Sequence, residues 1–355
     1  MLSGIAQIYQ EKKDYKKALE LYNESLVVGR AALGNTHSEV AMLLNRLGNF
    51  HFDRGNFDDA IVVYNEGLHI ERKVLPKNHP NVIVTLSNVA EIYRQRNDYP
   101  KAIKIYNEAL VLQRKCYGVS SIEVAASLNV LGLIYDLQGN SSMALKCLQE
   151  ALVIRRTVLG DNHLDLSATL IYLGTIFYRR GATSMALQLF TESLRIRIDN
   201  HGRNHRDVSF TLYNCALCLQ QQGCYKEAIE YYQETQRIER MVLGESHKDI
   251  AMTFFKLGEC LILNGEPDSA LEKFQSSLEI ERGLQEDSDP ATVARILNEI
   301  GNIYLAKGKT DKVMEHLIEA ARILQKAGLS PLESLSLPDR SYAFGISCPA
   351  SAAAA

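Results

Sequence analysis

A chain of 355 residues, 46% hydrophobic and 23% charged, has the make-up of an ordinary globular protein. A net charge of −3, with no basic half, argues against phosphate-driven nucleic-acid binding. No window reaches the ~20 apolar residues of a membrane span, and MLSGIAQIYQEKKDY lacks a secretion signal, so the seven cysteines are expected as reduced thiols in the cytoplasm.

From the N-terminus onward one pattern returns. A small residue follows an apolar one at Ala6, Gly48, Ala90, Gly132, Gly174, Ala216, Gly258 and Gly301, in steps of 42 residues six times and then 43. Twelve residues after each stands an alanine, from Ala18 and Ala60 through Ala270, replaced by Val313 in the last copy. Four further on comes a large apolar residue, among them Tyr22, Tyr64, Tyr106, Phe190 and Phe274. Within the third copy Leu86, Val89, Ile92 and Tyr93 form one helical stripe, and Ala102, Ile103, Tyr106, Ala109 and Leu110 a second. A polar break with a recurrent glycine, such as Gly55 or Gly139, separates them and suits a left-handed helix end. The reading is all-α, a stack of about eight helical hairpins with Gly48 facing Ala60 where helices cross closely. Period-2 alternation is missing from the repeats, so no strand is expected.

The order L-x-x-L-G-x-x-Y, then A-x3-F/Y, then A resembles the tetratricopeptide repeat. The 42-residue length and LG-x-x-H linkers, as at Leu33-Gly34 with His37 and Leu243-Gly244 with His247, resemble the repeat array of kinesin light chains. The resemblance covers residues 1–326 and implies an α-solenoid wound into a right-handed superhelix. Nothing resembles the heptad region by which kinesin light chains grip the motor, so a motor role is not implied. Residues 327–355, rich in Pro and Ser and without period, are expected as an irregular C-terminal tail. Leu2 already holds a core position, which predicts residues upstream or a partner covering that end.

Three features invite a chemical reading. His37, His79, His163, His205 and His247 recur one per repeat, with Ser121 breaking the series. Neighbouring repeats are ~8–10 Å apart, while zinc ligands reach only ~2 Å. The ladder is therefore expected to bond the inter-repeat turns and to hold no metal. Cys215-x-x-Cys218 occupies slots that are apolar in other repeats, which makes both thiols core fillers. No phosphate loop, dinucleotide fingerprint or nucleophile elbow is present, so neither an enzyme nor a cofactor is expected.

The resemblance further implies that the first helices line a concave groove for a protein or peptide partner. Its positions read Asn45, Arg46, Asn49, Asp53, Asn88, Glu91, Arg94 and Gln95 in the first copies. Asn45, Asn88, Asn129, Asn214 and Asn298 match one or other of the asparagines that bind ligand backbone in kinesin light chains. Later copies place Val130, Leu133, Leu137, Ile171, Tyr172, Tyr178, Tyr213, Leu217, Phe255, Ile262 and Leu263 there. These are either partner contacts or, if the helical phase slips by one residue, packing between repeats. The function expected is a protein–protein interaction scaffold, with no nucleic acid and no membrane insertion. The alternative is a permanent structural subunit of a larger complex.

Overall fold

The computed structural model describes residues 2–330, and the tail expectation lies outside them except at its first residues. The described residues form sixteen α-helices and one short 3-10 turn, Gln285–Asp287, with no strand. They fall into two compact units that divide at Gly160. The first unit contains α1 (Leu2–Glu11), α2 (Tyr15–Leu33), α3 (Ser38–Asp53), α4 (Phe57–Val74), α5 (Pro80–Gln95), α6 (Tyr99–Tyr117), α7 (Ile122–Leu137) and α8 (Ser141–Leu159). The second contains α9 (Leu164–Arg179), α10 (Thr183–His201), α11 (Arg206–Gln221), α12 (Tyr225–Leu243), α13 (Lys248–Leu263), α14 (Pro267–Gly283), α15 (Pro290–Ala306) and α16 (Thr310–Ala327). Odd-numbered helices are the first of each hairpin and even-numbered helices the second. None is long and apolar enough to cross a membrane.

Local sequence sets the helix ends. Within hairpins the chain turns through a left-handed residue, Gly55 at φ 74° for example, and Asn97 takes the same role at φ 58°. Asp14, Asp98 and Asn140 then accept the N–H of the residue three further on, capping α2, α6 and α8. Between hairpins the ladder histidines do the capping. The Nδ1 atoms of His37, His79, His163, His205 and His247 each accept the N–H two residues later, at 3.1–3.2 Å. Ser121 performs the same task with its hydroxyl, accepting from the N–H of Val124 at 3.3 Å. The break in the ladder is thus a change of cap residue.

Inside each hairpin a glycine meets a large side chain. The nearest atoms to Gly48 belong to the Tyr64 ring, so its partner is that ring and not Ala60. Gly174 stands the same way against Phe190, and Gly258 against Phe274. These rings are fully buried, each worth ~1.5–3 kcal/mol in apolar burial. Successive second helices of the first unit are tied outside by Arg30–Glu66, Arg72–Glu108 and Arg114–Glu150, at 2.5–2.6 Å. Such exposed pairs add ~0–1 kcal/mol each and serve mainly to fix register.

A polar ladder runs inside as well. Glu71, Gln113, Arg155, Arg197, Glu239 and Glu281 occupy one slot in successive second helices, all buried except the half-buried Arg197. Thr85 Oγ1 donates to Glu71 at 2.9 Å, and Thr253 Oγ1 to Glu239 at 2.8 Å. Arg197 reverses the polarity, donating to Thr211 Oγ1 at 2.9 Å and to Ser167 Oγ at 2.8 Å. Burial raises the carboxyl groups of Glu71 and Glu281 above the usual range, against the pull of their hydrogen bonds.

Candidate functional site, the first-helix faces

In the first unit the predicted polar residues lie on α3 and α5, but they are not equally available. Asn45 is half-buried and committed inward: its Nδ2 donates to Glu71 Oε1 and to Thr85 Oγ1, both at 2.8 Å. It is a structural clasp between repeats, which corrects its reading as a ligand contact. Arg46 is exposed and donates to Ser3 Oγ at 2.8 Å. Asp53, also exposed, accepts from Gln10 Nε2 at 2.8 Å. Glu91 is half-buried and gathers Arg94, Gln95 and the Tyr106 hydroxyl, which orients it along α5. Leu133 is half-buried on α7, and Asn129 is buried with an Oδ1 that finds no hydrogen-bond partner.

Asn49 and Asn88 make the arrangement with most chemical content. Asn49 is exposed and Asn88 half-buried, on adjacent first helices. The Asn49 Oδ1 accepts from Asn88 Nδ2 at 3.2 Å and from the Tyr64 hydroxyl at 2.5 Å. Tyr64, buried in its hairpin, thereby fixes the position of the amide pair. The bonds leave the Asn49 Nδ2 donor and the Asn88 Oδ1 acceptor without hydrogen bonds among the described residues. One donor and one acceptor side by side match the N–H and C=O of an extended backbone.

In the second unit the apolar expectations divide. Tyr213 is 2% exposed, with its ring 5.7 Å from that of Tyr232. Phe255 is 0% exposed, 5.4 Å from Phe274, with the Arg295 guanidinium 5.1 Å from its ring centre. Ile171 and Leu217 are buried too. Asn214 is buried and donates to the Phe210 carbonyl one turn back in its own helix. Tyr213, Asn214 and Phe255 are therefore core, and the packing reading replaces the partner-contact reading for them. Tyr172 and Tyr178 are half-buried. Ile262 and Leu263 stay open at the C-terminal end of α13, 38% and 52% exposed, and are joined on α15 by Leu305 at 60%, a residue the repeat pattern did not single out. Leu137 holds the equivalent exposed place on α7 of the first unit.

The cysteines belong to the packing. Cys215, Cys218 and Cys260 are fully buried, which pushes the Cys218 thiol up to about 12 and that of Cys260 to about 11. Burial thus disfavours the thiolate, the nucleophilic form, at all three positions.

A family model described as tetratricopeptide repeat matches residues 1–73, 39–115, 81–156, 123–199 and 207–282. None of the curated proteins matches the sequence. Among solved structures, BtubC (BKLC) from P. vanneervenii is similar at 21% identity and a TM-score of 0.55, over 74% of this chain and 96% of that one. The C-terminal part of a TPR repeat-containing protein from Cytophaga hutchinsonii is similar at 16% identity and a TM-score of 0.55, over 82% and 99%. A kinesin light chain-like protein from Podosopora anserina, with nearly identical TPR-like repeats, shows 18% identity and a TM-score of 0.51, over 58% and 97%. At these identities the likeness concerns the fold.

Proposed function

This chain belongs to the tetratricopeptide repeat family, and from that premise we infer that it is a protein–protein interaction scaffold, not an enzyme, that holds an extended segment of a partner on its first-helix face. The observation that carries this reading is the Asn49–Asn88 amide pair, held by the Tyr64 hydroxyl and keeping one donor and one acceptor uncommitted among the described residues. Each backbone hydrogen bond is worth a net ~0.5–1.5 kcal/mol, so two account for roughly 5- to 150-fold in affinity.

The test uses the full chain as bait in quantitative capture from its native extract, against an Asn49→Ala/Asn88→Ala variant. Specifically captured proteins should fall at least severalfold with the variant, while its helical circular dichroism stays unchanged. Equal capture by both baits sinks the reading. A second reading, a permanent bracket in a larger assembly, draws on the exposed apolar set Ile262, Leu263 and Leu305. Light scattering on the isolated chain separates the two: a stable monomer supports the reversible holder, and concentration-dependent aggregation the bracket.

A further inference from the structure

One linker of the second unit departs from the others. The last residue of the preceding second helix is Leu33, Val74, Tyr117, Leu159, Leu243 or Gly283 elsewhere, but His201 at the end of α10. His205, the cap of α11, follows four residues later, and the two rings stack at 4.1 Å between centres and 14° between planes. Asp207, in the first turn of α11, completes the group. Its Oδ2 lies 3.6 Å from His201 Nε2 and 3.9 Å from His205 Nδ1. Ligand atoms of all three residues lie within 4.8 Å of one another.

We propose that His201, His205 and Asp207 form a binding site for a zinc-type divalent transition-metal ion. Two atoms ~2.0–2.1 Å from one tetrahedral zinc stand about 3.4 Å apart. The His201–Asp207 spacing of 3.6 Å is close to that value. The near-parallel rings aim their nitrogen lone pairs along separate planes, so His205 must rotate out of the stack to share the ion. Two imidazoles and one carboxylate suit zinc, and leave the fourth position to water because the linker is exposed. The Nδ1 of His205 accepts the Asp207 N–H at 3.1 Å, so a metal on that nitrogen replaces the cap bond and leaves the N–H to solvent. The other linkers show what is special here. His163–Asp165 and His247–Asp249 repeat the same cap-and-carboxylate pair at 3.8–3.9 Å, but Leu159 and Leu243 stand where the third ligand would be. His201, outside the ladder, supplies the third ligand that those linkers lack.

The chain itself supplies substitutions that keep the fold. His201→Leu restores the residue of three sister linkers, and His205→Ser copies Ser121, which caps α7. Zinc alone should be titrated calorimetrically into the tag-free full chain at neutral pH, with magnesium as a second probe. One zinc per chain should bind saturably, and magnesium, which prefers oxygen ligands, should not. Each variant should weaken zinc at least about tenfold, since even losing a ligand's outer hydrogen-bond partner costs about 10- to 100-fold. His163→Ser, at a linker without the third ligand, should leave zinc binding as it was. Absence of saturable zinc binding to the unaltered chain, or unchanged affinity in His201→Leu and His205→Ser, overturns the proposal.

Discussion

Replacing Gly174 by alanine should destabilise the second unit, although alanine is the better helix former. A Cβ on Gly174 would lie 2.6 Å from Phe190 Cε1 and 2.9 Å from its Cδ1 and Cζ. Carbon atoms pack best at ~3.5–4.0 Å, so ring or helix must move by about an ångström. Phe190 is 1% exposed and has no open side to move into. Overpacking of this kind costs ~1–3 kcal/mol, while the gain in helix propensity is ~0.8–1 kcal/mol. The loss prevails, with an expected net cost of about 1 kcal/mol. Gly301 is the internal control. There the added methyl would meet Leu317 at 3.5 Å, an ordinary contact, so Gly301→Ala should stabilise by ~0.5–1 kcal/mol. Repeat arrays can open in parts, so native-state hydrogen exchange is the fitting assay. Protection in α9 and α10 should fall about fivefold in Gly174→Ala, and protection in α15 and α16 should rise in Gly301→Ala. Two variants of equal sign would refute the packing account. Ala90 and Ala216 hold the same slot and share buried clusters with Tyr106 and Tyr232.

Glu71→Gln should raise the melting temperature at pH 7–8 and leave it nearly unchanged near pH 4. Burial raises this carboxyl above the ordinary glutamate range, so the folded chain holds this proton longer than the unfolded one. Its stabilising share is present below pH 4.5 and is lost as pH rises through the folded-state value. Glutamine keeps the bonds, accepting from Asn45 and donating to Thr85, whose hydroxyl already bonds the Asn81 carbonyl. The same slot holds Gln113 one repeat later. Equal shifts at both pH values would count against it. Phe255→Ala should cost ~3–5 kcal/mol through the cavity it leaves against Phe274, read as loss of the cooperative urea transition of the second unit. A folded, fully stable variant would restore Phe255 to the surface.

Much of this protein is legible in one dimension. The 42-residue period, the helical stripes and the small-against-large pairing name every hairpin, because each is encoded within a few turns of its own helix. The capping role of the histidines follows from their place before each first helix, although the sequence alone said only that they bond a turn. What a face presents is another matter. Neighbouring positions on a helix differ by ~100°, so the resemblance put Tyr213, Phe255 and Ile262 alike on the groove or, with the phase slipped by one, between repeats. Packing against the adjoining hairpins buries the first two and leaves the third open. Asn45 and Asn49 likewise share composition and differ in fate, because only Asn45 lies within reach of the buried Glu71. His201 lies outside the histidine ladder, and the repeat pattern did not single it out. That it stands 3.6 Å from Asp207 was decided by the turn that carries α10 into α11.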